Sequence, residues 1–284
     1  TAQRKTQQKC RQNRRFFSRL FGVAVTTFLL AGLASCSKQQ PPAPAASAPA
    51  SATANAKEYV VGTDAAYAPF ESQAANGDIV GFDIDVLKAA AEKGGFKVKF
   101  VNTPWEGIFN SLAQGDRDIL ISSVTITDTR KQTMDFSAPY FDSRLQIAIG
   151  KDSKVTRLAD LKTLKVGVQT GTTGDEAVTK LQGKTSALIK RFESTPMALD
   201  ELKAHGVDAV VGDNGVVEHY VANNGAEQLK IVEDSSFAPE QFGIVVKKGN
   251  TELLEKINQG LAAIKADGTY DKIYAKYFKP AAKQ

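Results

Sequence analysis

VGVQTGTTGDE, residues 166–176, joins three kinds of local signal within eleven residues. Val166–Val168 is a short apolar run of the length of a buried strand. Gln169-Thr170-Gly171-Thr172-Thr173 supplies hydroxyls and a glycine, the composition of a turn. Thr173-Gly174-Asp175-Glu176 has the Thr-x-x-Glu spacing of a capping box, which predicts a helix over Asp175–Leu181. A strand that feeds through a polar turn into a helix is the repeating unit of an α/β sheet.

The same alternation recurs on both sides. Glu58–Gly62, Phe96–Val101, Asp118–Ile121, Asp208–Val211 and Gly243–Val246 read as strands. Phe82–Lys93, Ile108–Gln114 and Ala198–Ala204 have helical spacing, the first ending before Gly94-Gly95. The expected fold class is therefore α/β with open sheets, and such sheets take ligands at the carboxyl ends of their strands.

Composition narrows the class further. The 284 residues are 42% apolar and 24% charged, ordinary for a chain that buries a core. The formal charge of +5 belongs to the first 35 residues, which hold seven Lys/Arg and no acid. The remainder has 29 basic against 31 acidic residues, a net charge of −2. That argues against nucleic-acid binding. Leu20–Leu33 is a 14-residue apolar run, shorter than the roughly 20 residues that span a bilayer. A positive start, a short apolar core and small residues before Cys36 describe an export signal over 1–35. Leu33-Ala34-Ser35-Cys36 resembles the bacterial lipoprotein signal, which implies lipidation of Cys36. Residues 36–56 carry four prolines among Ala, Ser, Gln and Thr and read as a tether. The only other cysteine, Cys10, lies in the leader, so the folded part has no thiol for a disulfide, a Cys-based zinc site or a Cys nucleophile.

Polar and aromatic residues come after the expected strands: Asp64 and Tyr67 after the first, Trp105 after the second, Ser122, Ser123, Thr125 and Arg130 after the third. Gln169, Thr170 and Thr173 come after Val166–Val168, and Asp213 after Asp208–Val211. They include no obvious nucleophile–base pair, and the Lys-Ser/Thr of a phosphate loop is missing. A helix start offers free N–H groups and partial positive charge, suited to a carboxylate.

Seven segments, in order, resemble the periplasmic solute-binding proteins of polar amino-acid ABC importers: GTDAAYAPFES (62–72), GFDID (81–85), ISSVTITDTR (121–130), DFSAPYF (135–141), VGVQTGTTGDE (166–176), VDAVVGDN (207–214) and DGTYDKIYAKYF (267–278). The chain is most similar to the arginine/lysine/histidine-binding branch. The resemblance implies a two-lobed fold of type II with two hinge strands. Lobe I would be 57–139 and 243–284, lobe II 145–237, and the crossings 140–144 and 238–242.

It also implies roles. Arg130 would fork onto the ligand's α-carboxylate, with Thr125 and Thr173 completing that site. Asp213 would take the α-ammonium, and Ser122 and Ser123 would add polar contacts. Tyr67 and Trp105 would hold the side chain, with Asp64 facing its positive end. Gln169 and Trp105 depart from common patterns and bear on which amino acid is bound. A desolvated zwitterion needs a fixed partner for each charge, and Arg offers the planar fork that Lys lacks. An aromatic face attracts a desolvated cation by around 2 kcal/mol.

Competing structural roles exist for these residues. Asp64 and Asp213 are also turn formers, Trp105 is also a core residue, and the hydroxyls are also local caps. Glu71 reads as structural and Asp83 as the cap of the helix in GFDID. His205 and His219 read as structural or exposed.

The implied function is capture of a basic L-amino acid, arginine before lysine and histidine, by cleft closure, and its delivery to an ABC permease and its ATPase. The protein would be an exported, lipid-anchored monomer, facing the periplasm or the cell exterior, with no cofactor, no metal and no catalysis. The alternatives are a cyclohexadienyl-dehydratase-like enzyme, with Asp175 or Glu176 as proton donor, and a sensory or adhesive surface lipoprotein using the same cleft.

Overall fold

The computed structural model describes residues 57–278. The expected export signal, Cys36 and the tether lie outside the described residues.

The chain begins with β1 (Glu58–Thr63) and a small antiparallel flap, β2 (Ala66–Tyr67), β3 (Glu71–Gln73) and β4 (Ile79–Val80). It continues through α1 (Phe82–Gly94), β5 (Lys97–Asn102), α2 (Trp105–Gln114), β6 (Ile119–Leu120), α3 (Asp128–Lys131) and β7 (Met134–Phe136). β8 (Phe141–Ser143) leads to a second set of elements. These are β9 (Leu145–Gly150), β10 (Val166–Gln169), α4 (Thr173–Gln182), β11 (Ile189–Phe192), α5 (Thr195–Lys203), β12 (Ala209–Asp213), α6 (Asn214–Tyr220) and β13 (Leu229–Val232). β14 (Glu240–Phe242) returns to β15 (Val245–Lys247), α7 (Thr251–Ala266) and α8 (Thr269–Phe278).

Two five-stranded sheets result, ordered β5-β1-β6-β15-β7 and β11-β10-β12-β9-β13. In the first, β1 runs parallel to β5 and β6, while β15 is antiparallel to β6 and β7. In the second, β10 is parallel to β11 and β12, and β9 is antiparallel to β12 and β13. The apolar runs become inner strands because helices cover them: Val61, Ile119, Val166, Val168 and Val210 are fully buried. No helix among the described residues is long and apolar enough to cross a membrane.

α1 and α7 cover the first sheet. α7 buries Leu253, Ile257, Leu261 and Ile264, one helical stripe. Gly260 lies on that stripe, and a Cβ there would stand 2.0 Å from the Ala90 carbonyl oxygen, so the two helices meet backbone to backbone. α1 ends at Gly95, whose φ of 72° lets its N–H turn back to the Ala91 carbonyl.

β8 and β14 pair as an antiparallel ladder with Phe141 opposite Phe242. Their rings stack with centroids 5.5 Å apart, and Phe70 meets Phe141 edge-on at 4.9 Å. Phe278 of α8 joins the same cluster. The ladder connecting the two sheets thus leaves from an aromatic core instead of a loose linker.

Three local expectations are corrected. α4 is capped by Thr172, not Thr173: the Thr172 hydroxyl accepts from the Asp175 N–H at 3.2 Å. Gly171 at φ 70° turns the chain so that Thr172 is extended and Thr173 becomes the first helical residue. α2 starts at Trp105 directly after Pro104, three residues before its first apolar contact at Ile108. Asp83 caps nothing: α1 has Gly81 at its N-cap and no side-chain cap.

Candidate functional site

The loops at the strand ends meet in one cavity between the two sheets, with about 340 Å³ of empty space when its open mouth is counted. Ten of the eleven ligand-site residues expected from the sequence line it.

From the first sheet, Asp64 directly follows β1. Its N–H donates to the Ser122 hydroxyl at 3.0 Å, and its carboxylate accepts from the Trp105 N–H at 3.3 Å. Burial raises the Asp64 carboxyl above its usual range, with the Trp105 bond opposing and Glu193 adding to the rise. Tyr67 lies on the flap, buried, and its hydroxyl donates to Asp213.

The loop after β6 carries Ser122, Ser123 and Thr125, all buried. Ser123 takes φ 50°, a costly conformation for a non-glycine residue, and its hydroxyl has no partner among the described residues. Beneath this loop lies an acid pair. Ser122 donates to Glu71 at 3.0 Å, while the Ser123 N–H and the Tyr140 hydroxyl donate to one oxygen of Asp83 at 2.8 and 2.7 Å. Both acids are fully buried. Burial raises Glu71 well above the carboxylate range and Asp83 to about 6. Glu71 Oε2 and Asp83 Oδ1 have no hydrogen-bond partner among the described residues. With its carboxyl raised, Glu71 can hold a proton and offer it to Asp83. Glu71 also lines the cavity, a role beyond the purely structural one read from the sequence.

Arg130 lies on α3, which Thr127 caps by accepting the Arg130 N–H. One guanidinium nitrogen donates to the Thr125 carbonyl at 2.9 Å and the other to the Gly171 carbonyl at 3.3 Å, across the cleft. Its centre stands 5.6 Å from the Trp105 ring centroid and 5.4 Å from that of Phe109. Burial lowers its pKa, opposed by Glu176, Asp213 and Glu240, and a guanidinium stays charged regardless. Arg130 makes no ion pair with another side chain among the described residues.

From the second sheet come Gln169, Thr172, Thr173 and Asp213. Gln169 is tied to its own side: its amide nitrogen donates to the Glu193 carbonyl and its oxygen accepts from Thr195, both at 3.1 Å. A Cβ on Gly174 would lie 2.9 Å from the Val211 carbonyl oxygen, so glycine lets the start of α4 close onto β12. Asp213, the last residue of β12, is buried. That burial raises its carboxyl to about 7, against the Tyr67 and Ser143 hydroxyls and Arg130, which favour the ion.

Thr170 is the exception among the expected residues. It is exposed and does not line the cavity; its hydroxyl donates to the Phe192 carbonyl at 3.2 Å. Its own carbonyl accepts the Trp105 indole N–H at 3.1 Å, a bridge across the cleft mouth. The sequence reading missed Thr172, because the cap falls one residue earlier than the Thr-x-x-Glu spacing suggests. It also missed Glu240, which lies on the return strand 110 positions beyond Arg130 and carries no local signal.

Chemically, the cavity presents a cation at Arg130, an anionic site at Asp213, and two aromatic walls. Among the described residues no group of three or more His, Cys, Asp or Glu is placed to hold a metal.

The sequence model of the bacterial extracellular solute-binding proteins, family 3, matches residues 59–280. A probable histidine-binding protein of Neisseria gonorrhoeae is 45% identical over 223 residues, 78% of this chain and 83% of that protein. The ABC transporter arginine-binding protein 1 of Escherichia coli is 36% identical over 227 residues, 78% of this chain and 91% of that one. Among solved structures, the arginine-, lysine-, histidine-binding protein ArtJ of Geobacillus stearothermophilus superposes with a TM-score of 0.75. It has 44% identity and covers 80% of this chain and 97% of its own.

Proposed function

Because this chain belongs to the bacterial extracellular solute-binding proteins, family 3, we infer that it is the amino-acid-binding receptor of an ABC importer. It captures a basic L-amino acid, arginine before lysine and histidine, between two lobes. Lobe I comprises 57–139 and 243–284, lobe II comprises 145–237, and 140–144 and 238–242 are the crossings.

One observation carries this reading: a guanidinium on α3 beside the first sheet and a buried carboxyl at the end of β12 in the second line one cavity, and neither has an ion-pair partner among the described residues. A free α-amino acid supplies the two missing charges. Its carboxylate binds Arg130 and the first turn of α4, where N–H groups have no intrahelical acceptor. Its ammonium binds Asp213, displacing the proton that burial favours. Tyr67 and Trp105 flank the side chain, and Asp64 meets its positive end. Opposite unit charges at about 4 Å are worth roughly 4 kcal/mol at an effective dielectric of 20. Much of that offsets desolvation, so the pairs orient the ligand more than they add affinity.

The two lobes contribute opposite charges to one ligand, so the ligand is fully satisfied only when the cleft is closed. The closed shape then delivers it to a permease and its ATPase. The chemistry is binding without turnover. The chain is exported and held at the membrane by lipid on Cys36, with the 36–56 segment as tether, and works as a monomer.

Calorimetry with arginine tests the reading. One ligand binds per chain, and Arg130→Ala weakens binding about a hundredfold or more, because a pair of charge-assisted hydrogen bonds to the carboxylate is lost. An Arg130→Ala protein that binds arginine as tightly as the wild type refutes the carboxylate assignment. Mass spectrometry of the amino acid that copurifies with the native protein identifies the ligand directly.

A further inference from the structure

Glu240 stands where neither sheet owns it. It opens β14, the return crossing, and pairs with Ser143 of β8. Its Oε2 accepts two hydroxyl hydrogen bonds, from Thr125 at 3.1 Å and from Thr173 at 3.0 Å. Thr125 belongs to the loop after β6 of the first sheet, and Thr173 is the first residue of α4 on the second. The carboxylate is half-buried and makes no ion pair among the described residues.

We propose that Glu240 is a positioning residue that clasps the cleft shut by taking one hydroxyl from each lobe on a single carboxylate oxygen. The inference rests on the receptor reading above. Each threonine hydroxyl has one proton, and Glu240 receives both. The anion end of the cavity is left with the Arg130 guanidinium and backbone N–H groups as donors, so the hydroxyls do not bind the ligand carboxylate as donors. If the lobes part, Thr125 and Thr173 separate, and at most one bond to Glu240 survives. The second bond therefore stabilises only the closed form. Its effect is to retain ligand, not to recruit it. A charged acceptor makes such bonds stronger than neutral ones, but the geometry requires only an acceptor with a free lone pair. A glutamine oxygen provides one.

The test is the rate at which radiolabelled arginine leaves the preloaded full chain into excess unlabelled arginine. Glu240→Ala speeds release about tenfold, with the association rate within twofold of the wild type. Glu240→Gln restores release to within threefold of the wild type, because its amide oxygen accepts both hydroxyls. Thr173→Val speeds release as Glu240→Ala does, and the double variant is no faster than either single one. Release from Glu240→Ala at the wild-type rate overturns the proposal. So does Glu240→Gln as fast as Glu240→Ala, since charge or local folding would then be responsible. If the wild type takes a neutral amino acid instead of arginine, the basic-ligand reading falls. The same comparison with that ligand still decides the role of Glu240, because every α-amino acid has the same carboxylate. If no amino acid binds, both fall.

Discussion

Binding of arginine should expel a proton, and lowering the pH should weaken it. Burial holds the Asp213 carboxyl at about 7. Tyr67, Ser143 and Arg130 face it and favour its ionised form, while Glu240 opposes ionisation. A ligand ammonium demands the ion, so its arrival draws the Asp213 pKa down. Above about pH 7 the carboxylate is already charged and nothing is lost, whereas below it each binding event must remove a proton. Affinity then falls about tenfold per pH unit, since one unit corresponds to about 1.4 kcal/mol. Between pH 8 and pH 5.5 the expected loss is roughly 30-fold, or about 2 kcal/mol. Calorimetry in buffers of different ionisation enthalpy counts the protons, with close to one released per arginine at pH 6 and close to none at pH 8. Arginine is the correct probe because its own groups do not titrate in this range. Asp213→Asn should bind weakly but with a flat profile. An affinity for the wild type that is level from pH 8 to pH 5.5, with no proton release, refutes the pairing of Asp213 with the ammonium.

Asp64→Asn should weaken arginine about tenfold but glutamine less than threefold, since only the former presents a cation to that carboxylate; a competition panel reads the difference. Gly260→Ala should destabilise the protein by about 1–3 kcal/mol, because the added Cβ meets the Ala90 carbonyl oxygen at 2.0 Å; the melting temperature should drop by several degrees with ligand stoichiometry unchanged. Cys36→Ser should abolish incorporation of labelled palmitate and release the chain from the membrane fraction while arginine binding is retained, which separates the anchor from the receptor.

Six of the fifteen strands and four of the eight α-helices among the described residues were legible because their signals are local, while the flap strands β2 to β4, the crossing strands β8 and β14, and helices such as α7 were not read from such signals. The period-2 and 3.6 patterns in Glu58–Gly62 and Phe82–Lys93 depend on neighbours a few residues away, and the folded chain keeps those elements at nearly the same bounds. The residues that gather at the cavity were also readable, because most lie at or soon after the end of a strand, the place where α/β sheets present side chains to a ligand. Legibility failed where one residue of chain geometry mattered. Thr172, not Thr173, caps α4 because the left-handed Gly171 sets the phase of the turn. Thr170 stays outside the cavity because its N–H and hydroxyl both donate to the Phe192 carbonyl of β11.

The amino-acid order alone determined which elements form, that they alternate, and which charged and aromatic side chains end up near one another. Tertiary packing decided the states of those groups. Asp83 looks like a helix cap in the sequence, yet it is buried, accepts from the Ser123 N–H and the Tyr140 hydroxyl, and has its carboxyl raised by that burial. Glu240, 115 positions beyond Thr125 and 67 beyond Thr173, receives both hydroxyls. The physical reason is range. Helix and strand propensity act over a few bonds along the chain, while desolvation and hydrogen-bond direction depend on every atom that packing brings within a few ångströms.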